Sequence, residues 1–255
     1  MNEKYELTEE FKEIETLREG WLQKIKVYRI RALRAFADVK IGDLGGFVET
    51  KQNLSNMGDA WVYGNAKVYG NAKVYGNAEV YGDAEVYDNA WVYGNARVYG
   101  DAEVYDNARV RDNAWVCNNA RVYGNAKVYG NAKVYGNARV YGDAEVYDNA
   151  WVCGNAKVYG NAEVCGDAKV CDNANIFWCS SIGSRHATTT MFRNKDNGIT
   201  VTCGCFMGTL EEFAAIVEKE HGENIFGKEY KLLIELAKIH FGLQDETKGE
   251  EENGI

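Results

Sequence analysis

The chain has 255 residues, 46% hydrophobic and 26% charged, with 27 Gly, 17 Tyr, 7 Cys and no Pro. That composition excludes a disordered chain, and no window of 18 consecutive apolar residues exists to span a membrane as a helix. The formal net charge is −9, concentrated in 177–255, where thirteen Asp/Glu face eight Lys/Arg; without a basic footprint, nucleic-acid binding through phosphates is not expected.

Residues 1–58 read as an N-terminal α/β cap with degenerate first coils. The start, MNEKYELTEEFKE, is charged throughout, which argues against a secretory leader. Together with an odd number of cysteines it favours a cytoplasmic protein with reduced thiols. Residues 8–18 fit an amphipathic helix with Phe11, Ile14 and Leu17 on one face. Residues 26–32 (KVYRIRA) alternate like a strand, and 36–62 look like irregular opening coils.

Residues 59–178 carry the dominant signal. From Ala60 to Ile176 the pattern A-x-V-[YC]-[GD]-[ND] recurs every six residues without an insertion, and its aliphatic position is filled twenty times. Ala-x-Val-Tyr alternates, so Ala66 and Val68 point one way and Lys67 and Tyr69 the other. The Gly-Asn or Asp-Asn that follows tolerates positive φ and makes a corner. Each hexad is therefore a short strand and a bend, with Ala and Val inside and Tyr outside. An interior built of these two small residues suits a slim, three-sided solenoid.

Three hexads per coil make the outward residues stack at intervals of 18. One row reads Tyr69, Tyr87, Tyr105, Tyr123, Tyr141 and Tyr159 without interruption. A second face gains Trp61, Trp115 and Trp151. Rows of stacked aromatics stabilise coil on coil, each pair contributing about 0.5–1 kcal/mol. They are also large apolar patches of the kind that mark interfaces, where Tyr and Trp are favoured anchors. These nine residues are the candidate binding set.

Residues 179–242 read as a C-terminal capping domain: TTTMFR and ITVTCG flank a hairpin turn at Asn194–Gly198, Thr209-Leu210-Glu211-Glu212 opens a helix as a capping box, and Lys228–His240 form a second helix with Leu232, Leu233, Leu236 and Ile239 as its apolar face. Residues 243–255 are an acidic tail. Cys179, Cys203 and Cys205 are weak metal candidates, because their spacing lacks the usual CxxC or Cys/His pairs.

The hexads resemble the hexapeptide-repeat left-handed β-helix superfamily, in which an aliphatic residue is followed four positions later by a small one, as Val62 is by Ala66 and Val68 by Ala72. The resemblance implies a mainly β, single-stranded left-handed β-helix with three hexads per coil and between six and seven coils. At a strand spacing of about 4.8 Å this is a rod roughly 30 Å long. The flanks, with VYRIRALRAFADVKIGDLGGFVE and GCFMGTLEEF, are similar to a bacterial and prophage family often labelled transferase from the repeat alone. Well-known superfamily members are acyltransferases that use acetyl-CoA or acyl carrier protein and a coil histidine as general base. The coils here hold no His and no inserted loop, and only His186, just after the repeat, is a weak catalytic candidate.

The expected function is accordingly a non-enzymatic scaffold. It would self-associate as a dimer or trimer and bind a protein partner through its aromatic faces, with no cofactor, nucleic acid or membrane involved. An acetyl-CoA-dependent acyltransferase, or a binder of a small molecule or nucleotide at a subunit interface, are the alternatives.

Overall fold

A computed structural model describes residues 3–18 and 20–243, and the chain divides into two compact units, one running to Asp172 and the other beginning at Asn173. Among the described residues, no helix is long and apolar enough to cross a membrane.

The first unit opens with β1 (Tyr5–Arg18), β2 (Trp21–Ala32) and β3 (Leu44–Val48). Nineteen short strands follow, β4 (Trp61–Val62) through β22 (Lys169–Val170), mostly the variable residue and Val of one hexad. From β4 to β19 each pairs in parallel with the strand 18 residues on, as Lys67 with Glu85 and Val68 with Val86. Three sheets result, ordered β1-β2-β3-β5-β8-β11-β14-β17-β20, β22-β19-β16-β13-β10-β7-β4 and β21-β18-β15-β12-β9-β6. This is a β-solenoid of about seven turns, and the seven-stranded sheet takes one strand from each.

The lining is as the hexads predict. Every repeat Val from Val62 to Val170 and every repeat Ala from Ala60 to Ala162 is 0% exposed. Corners sit at positive φ, as at Gly82 (+75°), and the non-glycine residues that share such corners are Asp88, Asp106, Asp112, Asn118 and Asp148. Asp and Asn are the L-residues that enter this region at least cost, so the Gly/Asp alternation of the repeat has a backbone cause.

The N-terminal segment departs from the α/β expectation. Residues 8–18 are strand, not helix: β1 pairs antiparallel with β2, Ile14 opposite Ile25 and Lys12 opposite Val27. The i, i+3 spacing of Phe11, Ile14 and Leu17 mimics a helical face. In a strand the odd step sends Ile14 to the side opposite Phe11 and Leu17, and those two are 43% and 68% exposed. The first coil's open edge is satisfied by side chains. Lys4 Nζ donates to Ala60 O at 2.8 Å, and Asn53 Nδ2 donates to Gly70 O and Ala72 O at 3.0 Å each. These take the place of a preceding coil's N–H groups.

The second unit is a four-stranded antiparallel sheet, β23 (Ile176–Ile182), β24 (Ala187–Arg193), β25 (Ile199–Cys203) and β26 (Phe206–Thr209), followed by α1 (Leu210–His221) and α2 (Ile225–Phe241). The β24–β25 turn falls at Asn194–Gly198, where Asn194 Oδ1 accepts the N–H groups of Asp196 and Gly198. Thr209 and Glu212 form the expected reciprocal capping box. The buried side of α2 is different from the one expected: Tyr230, Leu233, Ile234, Ala237 and Phe241 pack inward, while Leu232, Leu236 and Ile239 are 73%, 51% and 77% exposed. Tyr230 and Phe241 widen the true face beyond the leucines that a sequence reading favours.

Candidate functional site

The outward rows build regular ladders, because 18 residues bring the chain back one strand spacing away. From Tyr69 to Tyr159 successive rings are 5.0, 4.9, 4.9, 4.9 and 5.1 Å apart between centroids and within 9° of parallel. Tyr69 Oη donates to Glu85 Oε2 at 2.8 Å, and the other oxygen of that carboxylate accepts from Lys67 Nζ at 2.6 Å. Burial, then the neighbouring Tyr123, raises the Tyr105 phenol to about 12. The corners carry a second ladder. Asn71 Nδ2 donates to Asn89 Oδ1, Asn89 to Asn107, Asn107 to Asn125, and Asn125 to Asp143. An amide both donates and accepts, so it propagates the chain, whereas a carboxylate can only receive it.

The aromatic row is unevenly covered. At its start the β1–β2 hairpin lies on it: Val27 and Phe47 bury Tyr69, with Ile14, Ile25 and Tyr87 packed alongside. Arg18 grips Glu49 through both terminal guanidinium nitrogens, Nη1 and Nη2, and Glu49 Oε2 also accepts the Gly70 N–H at 2.8 Å. Tyr69 is 6% exposed; Tyr87, Tyr105, Tyr123 and Tyr141 are half-buried; Tyr159 is 42% exposed.

The three candidate tryptophans separate. Trp61 is 1% exposed, set edge-on to Tyr5 and Phe36, so it belongs to the N-terminal core and not to an open face. Trp115 is half-buried and Trp151 40% exposed. Lys133 lies between them, 4.7 Å from one ring and 5.1 Å from the other, an arrangement that gains cation–π attraction on both sides.

Cys153 and Cys171, in adjacent turns, form a disulfide with Cα atoms 4.2 Å apart, contrary to the expectation of reduced thiols throughout. The 18-residue step that stacks tyrosines also brings two such cysteines within bonding reach. Cys117 and Cys165 are buried, and burial raises both thiols. Cys179 and Cys203 stand either side of Thr189 across three strands, and Cys205 is exposed in the next turn. Among the described residues no three His, Cys, Asp or Glu are grouped to hold a metal ion. His186 sits at φ 48° in the exposed turn after β23. His221 packs on Phe226 and Tyr230, and His240 on Phe177 and Phe241.

A cavity of about 270 Å³ lies within the second unit, lined by Arg185, Cys203, Cys205, Phe206, Phe213, Ile216, Glu220, His221 and Tyr230 among others. Its residues come from a turn, a hairpin and two helices, so no local motif announces it.

A family model described as YdcK beta solenoid repeat matches residues 90–104 and 132–148, both within the coils. No curated protein matches the chain. The repeat match and the coil geometry agree that the chain is a β-solenoid repeat protein.

Proposed function

We propose that the chain is a non-enzymatic scaffold that self-associates and binds a protein partner through its aromatic rows. The observation that supports this reading is the treatment of one row along its length. Where the chain supplies its own apolar cover, Val27 and Phe47 on Tyr69 with Ile14 and Ile25 alongside, the tyrosine is sealed at 6% exposed. From Tyr105 to Tyr159 the same ladder continues with its ring edges in reach of solvent. Rigid, preorganised aromatics offer contact area at little entropic cost, which favours association. Trp151, 40% exposed beside Lys133, extends the same character to a second face.

The test needs no knowledge of the partner: the mass in solution of the wild type and of a Tyr123→Glu, Tyr141→Glu double variant is compared by light scattering. The expected result is a dimer or trimer that falls to monomer in the variant. A wild type that stays monomeric at every concentration, or an oligomer indifferent to both substitutions, overturns self-association through this row.

A further inference from the structure

The cavity of the second unit is separate from the aromatic rows and holds two polar groups with unspent capacity. The first is Arg185. Its Nη1 lies 3.7 Å from the point where a Cβ on Gly204 would stand, so the side chain is laid across that turn. No carboxylate comes within ion-pair distance of Arg185 among the described residues. The second is the Tyr230 hydroxyl. Tyr230 is 6% exposed, and its Oη has the Cys203 thiol at 3.7 Å as its partner. Thr189 Oγ1 donates to that same sulfur at 3.2 Å. The thiol proton is then free to point at the phenol oxygen, which leaves the phenol O–H to donate elsewhere. Arg185 and Tyr230 both line the cavity, together with the apolar Phe206, Phe213 and Ile216, and the Tyr230 ring packs edge-on to Phe213 at 5.5 Å.

We propose that this cavity binds a small monocarboxylate with an apolar body, its carboxylate held by Arg185 and the Tyr230 hydroxyl and its body against Phe206, Phe213 and Ile216. A guanidinium fork matches a planar carboxylate, and a phenol O–H adds a charge-assisted bond. One cation balances one negative charge. A phosphate dianion would leave charge uncompensated close to Glu220, an exposed rim carboxylate that already faces Lys219 at 3.7 Å. A neutral apolar ligand would leave Arg185 unused. At about 270 Å³ the space is just below the 300–1,000 Å³ common for drug-sized ligands, so the occupant is small.

Calorimetric titration of the full chain with phenylacetate and hexanoate, beside phenylacetamide and inorganic phosphate, tests this. The carboxylates are expected to bind and the amide and phosphate not to. Arg185→Gln, at an exposed position, should weaken carboxylate binding about tenfold or more, and Tyr230→Phe by a smaller factor. In a Cys205→Ser background, bound carboxylate should also slow alkylation of Cys203, which reads occupancy at the cavity itself. Equal binding of the amide, tighter binding of phosphate, no binding of either carboxylate, or an affinity unmoved by Arg185→Gln each overturns the proposal.

Discussion

The rings of Tyr123 and Tyr141 lie parallel to each other with centroids 4.9 Å apart, each belonging to the same corner of successive turns. The separation is the strand spacing itself, so the backbone dictates the stack and the stack in turn clamps the backbone. Tyr123 makes this contact on both sides, with Tyr105 as well as Tyr141. Replacing it by Ala removes two ring pairs worth about 0.5–1.5 kcal/mol each. We expect Tyr123→Ala to lower stability by roughly 1–3 kcal/mol, read as a shift in the urea midpoint with the coil circular dichroism unchanged before the transition. An unchanged midpoint would show that the ladder is decoration.

The corners should discriminate sharply between residue types. Gly82 has φ +75°, and a Cβ there would stand 3.0 Å from the nitrogen and from the oxygen of Gly100 in the next turn. The equivalent corner two turns later is Asn118, at φ 59°. The fold therefore already accommodates Asn in this stack. Gly82→Asn should cost less than about 1 kcal/mol, whereas Gly82→Val, β-branched at positive φ, should cost about 2 kcal/mol or more. Thermal midpoints of the two variants, measured side by side, decide this.

The contrast between the coils and the flanks explains what the sequence could disclose. Val68 and Ala66 lie inside because period-two alternation has a single geometric meaning once the corner residues fix the ends of each strand. The capping box at Thr209 and Glu212 is equally local, two side chains answering two backbone N–H groups. By contrast, Phe11, Ile14 and Leu17 fit a helix by spacing, and their strand state depends on pairing with residues 22–28, which propensity does not record. Trp61 shares its row with Trp115 and Trp151, yet Tyr5 and Phe36 bury it from segments outside the repeat. The cavity beneath Arg185 needs Cys203 and Tyr230, 27 residues apart, to meet, and the sequence holds no trace of that meeting.

Cys153 and Cys171 join neighbouring turns and close one 18-residue circuit of the solenoid. A loop of that size is stabilised by roughly 3 kcal/mol when cross-linked, in the chain-entropy account. Alkylation of the denatured, unreduced protein should label the five free cysteines, and all seven after reduction. Cys153→Ser should lower the midpoint by an amount that reductant reproduces in the wild type. Seven labelled thiols without reduction would show that the pair is open in solution.

Lys4 is 0% exposed, with its ammonium bonded to Ala60 O and 5.1 Å from the Phe36 ring. Burial first, then repulsion from Arg34, lowers its pKa from 10.5 to about 8, with Asp59 opposing. Between these two values the unfolded chain holds a proton that the folded chain has released. The Lys4 contribution to stability must therefore rise with pH across that window, by about 3 kcal/mol if the whole shift is expressed, while the buried tyrosines, whose phenols are raised, pull the other way near pH 10. Below it both states are protonated, and the buried charge is a fixed cost. Above it both are neutral, and no further gain accrues. Lys4→Met removes the titrating group and leaves the tyrosines in place, so the wild-type urea midpoint should gain on that of the variant between pH 8 and pH 10. Parallel profiles for the two proteins would mean that Lys4 titrates as an ordinary exposed lysine, and that the first coil's edge is sealed by something other than this ammonium.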